Sequence, residues 1–498
     1  MTTGLYKKGL VLTIIGLFIG AGVGPSISGN NNFNVPPLIE WNKTYGGVDD
    51  DWGMSLQQTN DDGFIFCCGT KSYGAGDCDA WLVKTDSTGN KQWDRTYGGI
   101  NFDWGSSVQQ TSDGGFIIGG FTWSFGAGNT DGWLIKTDST GNMLWDQTYG
   151  GINNDTLASV QQTNDGGYII CGETRSFGAG SYDVWLIKTD STGNLLWNKT
   201  FGGNERDEGF SVKQTTDGGF IICGWTSSYG AGIHDVWLIK TDGNGNKLWD
   251  QTYGGSNNDW GTAVQQTIDG GFIITGVTTS FGAGSYNVWL VKTDSNGNKQ
   301  WDQTYGGGSS EWGWSVQQTS DDGYIIGGFT ESFEVGVRDM WLIKTDNNGN
   351  EFWNQTYGGT NWDDGRSVLQ TTDGGFIIGG NTESFGTGGR DIWLIKVASD
   401  DSEIVVVIQG GFRVSAVIKN NGTATAYVVP WSIDLDGGLI LAGSHTEGVI
   451  SELAPGASKT IRQTTLYGIG RTTITVTAGD AEKQATGFIL GPLVLGVN

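Results

Sequence analysis

The residues best suited to chemistry in this sequence are carboxylates that recur every 52 residues. One series is Asp51, Asp103, Asp155, Asp207, Asp259, Glu311 and Asp363. The other is Asp79, Asp131, Asp183, Asp235, Asn287, Asp339 and Asp391. Carboxylates and loop carbonyls suit Ca²⁺, but a loop Asp also fixes its turn by accepting backbone N–H bonds. No repeat has a dense Asp-x-Asp-x-Asp run. We therefore favour the turn-fixing role and predict no cofactor; Ca²⁺ is the alternative, and a metal site is left undetermined.

Aromatic and basic residues near these acids are candidate binding groups. A Trp follows four acids of the first series, where other repeats have Thr156, Glu208 and Asp364. Aromatic faces beside carboxylates suit sugars, although packing between repeats also explains them. Three arginines in the last two repeats form a candidate basic patch for an anionic group, with solvated side chains as the alternative. The predicted ligand-binding residues are Asp51, Trp52, Asp103, Trp104, Asp259, Trp260, Glu311, Trp312, Arg338, Arg366 and Arg390.

The chain contains too few histidines for common kinds of histidine-based catalysis. His234 and His445 are the only histidines, which argues against a Ser-His-Asp triad or a multi-histidine metal centre. The carboxylates are nearly periodic, whereas a catalytic pair would break the symmetry of the repeats. We therefore predict no catalytic residues and a protein that is not an enzyme. The net charge of −25 repels phosphate backbones, so nucleic acid is not an expected partner.

The same period predicts the fold. Tryptophans recur every 52 residues in two uninterrupted series, beginning at Trp41 and Trp81. Each repeat contains four strand signals separated by turns; in the second repeat they are Ser107 to Thr111, Phe116 to Thr122, Trp133 to Thr137 and Met143 to Thr148. Four antiparallel strands in about 50 residues are typical of one propeller blade. The chain is therefore predicted to be all-β.

The two ends of the array predict how the ring closes. The last repeat has three strand signals and lacks the fourth, whereas residues 38–44 form a fourth strand with no repeat of their own. Pairing residues 38–44 with residues 391–398 completes seven four-stranded blades and removes an exposed sheet edge. We therefore predict a seven-bladed β-propeller whose N-terminal strand closes the last blade.

Motifs within the repeats resemble those of known propellers. The doublet Gly119-Gly120, followed by Asp131-Gly132-Trp133 and the segment from Asp138 to Trp145, resembles the pattern of kelch-type propellers. Asp190, Gly193 and Trp197 resemble the tryptophan-docking motif of quinoprotein propellers. The resemblance implies the propeller architecture alone, because no set of quinone-binding or metal-binding residues can be matched.

Three regions are expected along the chain. Residues 1–29 read as a signal peptide, with Lys7 and Lys8 before an apolar run too short for a comfortable membrane span; an uncleaved N-terminal anchor is the alternative. Residues 38–398 form the propeller. Residues 402–498 are rich in β-branched residues and Gly-containing turns, which predicts an immunoglobulin-like β-sandwich. The segments Asn420 to Thr423 and Leu453 to Gly456 resemble CARDB-type adhesion modules.

These features predict a secreted or cell-surface protein. The repeat copies differ mainly in the loops of one propeller rim, and binding usually resides on loops held by a rigid scaffold. The leading hypothesis is a non-catalytic recognition or adhesion protein that binds a glycan or a surface protein through this variable rim. The alternatives are a secreted polysaccharide-acting enzyme, either a glycosidase or a lyase, and a surface-layer assembly component. Contact with a membrane is expected only through an uncleaved N-terminal anchor.

Overall fold

The structure is a computed structural model that describes residues 36–333, 337–399, 404–420, 426–454, 456–479 and 481–497. These residues form strands and turns and contain no helix. Accordingly, no helix within the described ranges has the length and apolarity needed to cross a bilayer. The predicted signal peptide, residues 1–29, lies outside the described residues.

The repeats fold as seven four-stranded antiparallel sheets within the described residues. The first strands of the sheets are β2 Asp51–Gln58, β6 Asp103–Gln110, β10 Asp155–Gln162, β14 Asp207–Gln214, β18 Asp259–Gln266, β22 Glu311–Gln318 and β26 Asp363–Gln370. The second strands are β3 Phe64–Thr70, β7 Phe116–Thr122, β11 Tyr168–Thr174, β15 Phe220–Thr226, β19 Phe272–Thr278, β23 Tyr324–Thr330 and β27 Phe376–Thr382.

The second half of each repeat supplies the outer strands. The third strands are β4 Asp79–Thr85, β8 Asp131–Thr137, β12 Asp183–Thr189, β16 Asp235–Thr241, β20 Asn287–Thr293, β24 Asp339–Thr345 and β28 Asp391–Val397. The fourth strands are β5 Lys91–Tyr97, β9 Met143–Tyr149, β13 Leu195–Phe201, β17 Lys247–Tyr253, β21 Lys299–Tyr305, β25 Glu351–Tyr357 and, for the last sheet, β1 Ile39–Tyr45.

The sheets are arranged as a ring. Each first strand contacts the first strands of the two neighbouring sheets, and β2 of the first sheet contacts β26 of the last. The first strands therefore surround a central channel, and the fourth strands lie at the periphery. This arrangement is that of a β-propeller, and the prediction of an all-β propeller is confirmed.

Strand β1 closes the ring by pairing with β28. The two strands are antiparallel, with Asn42 opposite Ile395 and Tyr45 opposite Ile392. The amide of Ala398 also donates to the carbonyl of Leu38 at 2.9 Å. The predicted pairing of residues 38–44 with residues 391–398 is therefore confirmed, with a bulge between Ile39 and Trp41.

The periodic tryptophans hold the blades together. Trp81 on the third strand is buried and donates its indole N–H to Asp94 of the fourth strand at 3.0 Å. Trp93 on the fourth strand lies against Phe116 of the next blade, with ring centres 5.8 Å apart. The hydroxyl of Tyr97 donates to the carbonyl of Gly141 in the next blade at 2.6 Å. Both tryptophan series are structural, as predicted.

Every blade also contains a buried lysine paired with the Asp of its first hairpin. The seven Nζ–carboxylate distances lie between 2.7 and 3.1 Å. Lys344 is an example: its side chain is 1% exposed, its Nζ lies 2.7 Å from Asp321, and it also donates to the carbonyl of Thr345. Because a buried ammonium is costly without a partner, the hairpin Asp determines whether the lysine can remain buried.

The C-terminal residues form two further antiparallel sheets. One contains three strands and the other seven, and Val406, Ile418, Ile433 and Ile474 belong to one hydrophobic core made by both. The immunoglobulin-like classification stays a prediction. The strands are β29 Ile404–Gln409, β30 Gly411–Phe412, β31 Ser415–Asn420, β32 Ala426–Asp436, β33 Leu439–Ala442, β34 His445–Leu453, β35 Ser458–Arg462, β36 Tyr467–Ala478, β37 Ala481–Gly491 and β38 Leu493–Leu495.

The lysine–aspartate pair gives a stability prediction. Asp321→Ala is expected to lower the free energy of unfolding by about 3 kcal/mol, because it leaves Lys344 buried without its counter-ion. Lys344→Met is expected to cost much less, since it removes the buried charge. Urea denaturation of both variants and of the double variant measures these costs. If the Asp321→Ala cost is unchanged in a Lys344→Met background, it arises from the turn bonds of Asp321 and the explanation is wrong.

Candidate functional site

One end of the central channel is bordered by two residue positions per blade, which we call the mouth ring. The first position is the second residue of the innermost strand; the other lies opposite it on the second strand. The ring consists of the pairs Trp52–Gly69, Trp104–Phe121, Thr156–Glu173, Glu208–Trp225, Trp260–Val277, Trp312–Phe329 and Asp364–Asn381.

The mouth ring contrasts with the uniform interior of the blades. The inner positions of the second and third strands repeat almost unchanged, whereas the pairs in the ring vary from blade to blade, and the Trp–Phe pair alone occurs twice. Neighbouring blades meet here: the Trp104 ring lies over Gly69 of the preceding blade, so closely that a Cβ at Gly69 would come within 2.4 Å of it. Trp52 and Trp104 also contact each other, with ring centres 5.5 Å apart.

The acids of the first series do not belong to an exposed binding surface. Asp103 is typical: it is fully buried and accepts hydrogen bonds from the Gly99 amide at 2.7 Å, the Ser124 hydroxyl at 2.6 Å and the Thr122 hydroxyl. Asp51, Asp259 and Glu311 are equally buried and accept bonds from the corresponding groups. Their oxygens therefore hold the inter-blade loops, and the assignment of these four carboxylates to ligand binding stays a prediction.

The second acidic series is also built into loops. Asp131 accepts the Gly128 amide at 2.8 Å, and Asp235 accepts the Gly232 amide at 2.8 Å. Both carboxylates are almost fully buried. Within the residues that the structure describes, no group of three or more His, Cys, Asp or Glu side chains is placed to hold a metal ion.

The three predicted arginines do not form a free basic patch. Arg338 pairs with Glu331 at 2.7 Å and Asp364 at 3.2 Å, and Arg390 pairs with Glu383. Arg366 pairs with Asp364 at a longer 3.5 Å. The positive charges are thus largely balanced, and binding of an anionic group by these arginines stays a prediction. Among the described residues, the buried Nε–H of Arg366 has no acceptor.

The predicted tryptophans do reach the channel, and two of them line a cavity. Trp260 and Trp312 lie in neighbouring blades with ring centres 5.5 Å apart and nearly parallel planes. They border a cavity of about 300 Å³, a size at the lower end of ligand pockets. We call it the aromatic cavity; its lining residues are Arg206, Phe210, Trp225, His234, Trp260, Thr262, Trp312 and Trp314.

The walls of the aromatic cavity are held by their own contacts. His234 lies between Trp225 and Trp260, at 4.4 and 5.7 Å between ring centres, and its Nδ1 bonds the Ser227 hydroxyl at 2.6 Å. The Thr262 hydroxyl donates to the Gly313 carbonyl of the next blade at 2.7 Å. The lining is therefore almost entirely aromatic carbon with a few polar groups, which suits a ring-shaped ligand with an apolar face.

Beside the cavity lies a pair of carboxyl groups. Glu208 replaces the mouth-ring tryptophan in its blade, and Glu173 of the preceding blade lies next to it; both contact the guanidinium of Arg206, Glu173 at 3.5 Å. Burial, and then the charge of Glu173, raise the pKa of Glu208 to about 8. Burial also raises the pKa of Glu173. Glu208 therefore retains its proton at neutral pH.

Comparisons with known proteins give limited similarity. No protein-family model matches the chain. A stretch of 159 residues is 28% identical to the regulatory protein FlaEY of Caulobacter vibrioides; it covers 29% of this chain and 16% of FlaEY, so only a small part of that protein's length is matched.

Similar solved structures include the Pan2 WD40 domain of Neurospora crassa, with a TM-score of 0.41 over 71% of this chain and 98% of that one. Another is YCF48 bound to D1 peptide, with a TM-score of 0.43; the match covers 74% of this chain and 99% of that one. Both are 10% identical in sequence to this chain. The fold assignment therefore rests on the sheet topology described above.

Several residues of the site were not among the predicted ones. Phe210, Trp225, Trp314, Arg206 and Glu173 all lie at repeat positions where the seven copies have mostly different residue types. Their signal is therefore variation among the copies. An alignment of the seven copies shows this variation. It does not show that these residues lie beside the channel.

The carboxyl pair predicts an unusual pH dependence of stability. Because the pKa of Glu208 is raised to about 8 in the folded state, the folded protein keeps a proton that the unfolded chain releases above about pH 4.3. The free energy of unfolding therefore loses this contribution as pH rises from about 5 to about 8. Between pH 5 and pH 8 the unmodified protein is therefore expected to lose about 3 kcal/mol more of its free energy of unfolding than the Glu208→Gln variant does.

Urea denaturation at the two pH values measures this difference. Glu205→Gln, at an exposed neighbour in the same loop, is the matched control and should behave like the unmodified protein. A Glu208→Gln variant with an unchanged pH dependence would show that Glu208 is ionised in the folded state.

Proposed function

We propose that this protein is a non-catalytic recognition protein that binds a glycan at the mouth of its propeller channel. The observation that supports the proposal is the aromatic cavity, in which Trp260 and Trp312 present nearly parallel faces beside Phe210 and Trp225. A sugar ring has an apolar C–H face that stacks on such surfaces and hydroxyl groups at its edges. Arg206 and His234 offer polar contacts at the border of the cavity.

The surrounding architecture is suited to binding rather than to motion. The inter-blade loops that precede the mouth-ring strands are fixed by buried carboxylates such as Asp103. Neighbouring inner strands also bond each other, as in the hydrogen bond that the Gln110 amide donates to the Gln57 side chain across the first seam. A rigid scaffold lowers the entropic cost of forming a binding site. We also propose that the protein acts outside the cell, in line with the sequence of residues 1–29. The kelch-like, quinoprotein-like and CARDB-like assignments stay predictions.

The glycan proposal predicts the effect of removing one cavity wall. Trp260→Ala is expected to weaken binding to a glycan identified on an array by about tenfold or more, since loss of a stacking face costs on the order of 1 to 2 kcal/mol. Isothermal titration calorimetry measures the affinity. Trp123→Ala is the matched control, because Trp123 is 54% exposed and lies outside the cavity lining.

Equal affinity of the Trp260→Ala variant and the unmodified protein would exclude the aromatic cavity as the glycan site. A complete lack of binding on a broad glycan array, at high protein concentration, would refute the glycan proposal itself.

A polysaccharide-acting enzyme is the second candidate function. The observation that favours it is Glu208, a carboxyl that is protonated at neutral pH, breaks the repeat symmetry and adjoins the aromatic cavity, as a general acid would. An enzyme of this kind would release new reducing ends or unsaturated products from a bound polysaccharide. If the protein does so, and if Glu208→Gln abolishes the release, this candidate replaces simple recognition. Stable binding with no such products favours recognition.

A further inference from the structure

We infer that the ligand of the aromatic cavity is an acidic glycan whose ring carries a carboxylate, as in a chain of hexuronate residues. This inference rests on the proposed function and specifies its ligand class. It depends on three features of the described residues: the charge of the cavity lining, the position of Arg206, and two buried N–H donors beside the lining that have no partner.

The charge of the lining is opposite to that of the protein as a whole. The chain has a net charge of −25, yet the residues that line the aromatic cavity include the guanidinium of Arg206 and the imidazole of His234 and no carboxylate. A protein this acidic generally repels an anion. A cavity that lacks acidic groups and has a cation at its border is where an anionic ring meets the least repulsion.

Arg206 is positioned to contact such a ring. Its side chain is about half exposed, and its guanidinium stacks 4.6 Å from the centre of the Tyr182 ring and 5.8 Å from that of Trp225. These stacking contacts hold the guanidinium plane while part of it faces solvent. A planar guanidinium with free donors is the preferred partner of a carboxylate.

The two acids beside Arg206 carry less negative charge than two ionised carboxylates would. Its partners are Glu208 and Glu173, but burial and the charge of Glu173 raise the pKa of Glu208 to about 8. Near neutral pH the pair therefore carries about one negative charge rather than two, so the pair and Arg206 together are close to neutral and repel a further carboxylate less than two ionised acids would.

One donor on the lining and one beside it lack acceptors among the described residues. The indole N–H of Trp314 and the Nε–H of Arg366 are buried without a hydrogen-bond partner among the described residues. The two side chains are neighbours, since the Arg366 guanidinium lies 4.3 Å from the centre of the Trp314 ring. Buried donors without acceptors are costly, and oxygen atoms of an acidic sugar that enters the channel would satisfy them.

A neutral glycan and a polypeptide fit these features less well. A neutral sugar would stack on Trp260 and Trp312 equally well but gain little from Arg206 or Arg366. An aromatic side chain of a polypeptide would fill the cavity but carries no anionic group for Arg206 or Arg366. The acidic sugar ring is the occupant that uses both the aromatic walls and the unpaired donors.

The test compares two probes with the same sugar backbone, one anionic and one neutral: trigalacturonic acid and its fully methyl-esterified form. At about 50 mM salt the acid is expected to bind about tenfold more tightly than the ester, because only the acid attracts guanidinium groups. Raising the salt to about 0.5 M should reduce this ratio, since salt screens the attraction. Isothermal titration calorimetry on the full chain measures both affinities.

Two variants locate the charge preference. Arg206→Met and, separately, Arg366→Gln are each expected to bring the acid-to-ester affinity ratio below about threefold, because each weakens binding of the acid much more than binding of the ester. Arg95→Gln, on the outer strand β5, is the control and should keep the ratio. The two arginines are in different blades, so a folding defect in one variant leaves the other as an independent test, and circular dichroism verifies that each variant is folded.

The outcomes separate the two levels of the proposal. Equal binding of acid and ester, both weakened by Trp260→Ala, would overturn the acidic-glycan inference while the glycan proposal stands. Preference for the acid that persists in both arginine variants would also overturn it. Binding of neither probe, together with binding of an aromatic peptide that Trp260→Ala abolishes, would overturn the glycan proposal in favour of a polypeptide ligand.

Discussion

The pairing of β1 with β28 is the interaction on which the propeller depends. Each blade packs only against its two neighbours, so an open array would leave the three-stranded last blade with an unpaired edge. The N-terminal strand supplies the missing edge, from Ile39 to Tyr45. Its Asn42 also accepts the indole N–H of Trp393 at 3.3 Å, which is the contact that the fourth strand makes within every other blade. Closure therefore reproduces the internal contacts of a complete blade.

Ring closure has a consequence for where binding can occur. The buried parts of the blades must remain equivalent, because each seam repeats the packing of Trp93 on Phe116 and the hydrogen bond of Tyr97 to Gly141. The residues of the mouth ring need not be equivalent in this way, because they contact the neighbouring blades only at the end of the channel. The blades therefore differ from one another at the mouth ring. Aromatic residues lie there in the fourth to sixth blades, and the carboxyl pair lies between the third and fourth blades.

Much of the fold could be predicted from the sequence, because a 52-residue period without insertions limits the chain to equivalent units. The role of Asp103 as a loop-fixing residue was also the favoured interpretation of its type and position. Its exclusion from the binding surface could not be predicted, because it depends on how the Thr122 and Ser124 hydroxyls fold over the carboxylate. The pairing of Arg390 with Glu383 depends similarly on the conformation of a loop.

The aromatic cavity shows a different limit of sequence reasoning. Trp260 and Trp312 were identified because they recur, whereas Trp225 and Phe210 were missed because each occurs in a single copy at its position. A residue that breaks a repeat is informative only when its neighbours across the seam are known. Here the neighbours of Trp225 are Trp260 and His234, and together they form a wall of the cavity.

Hydrogen–deuterium exchange with and without an acidic oligosaccharide tests the central claim most directly, namely that the asymmetric part of the mouth ring is the binding site. The account predicts slower exchange in peptides that contain Arg206 to Phe210, Trp225 and the segment from Trp312 to Trp314, with little change in the hairpins at the opposite rim. Protection confined to that opposite rim, or to the C-terminal sheets, would contradict it.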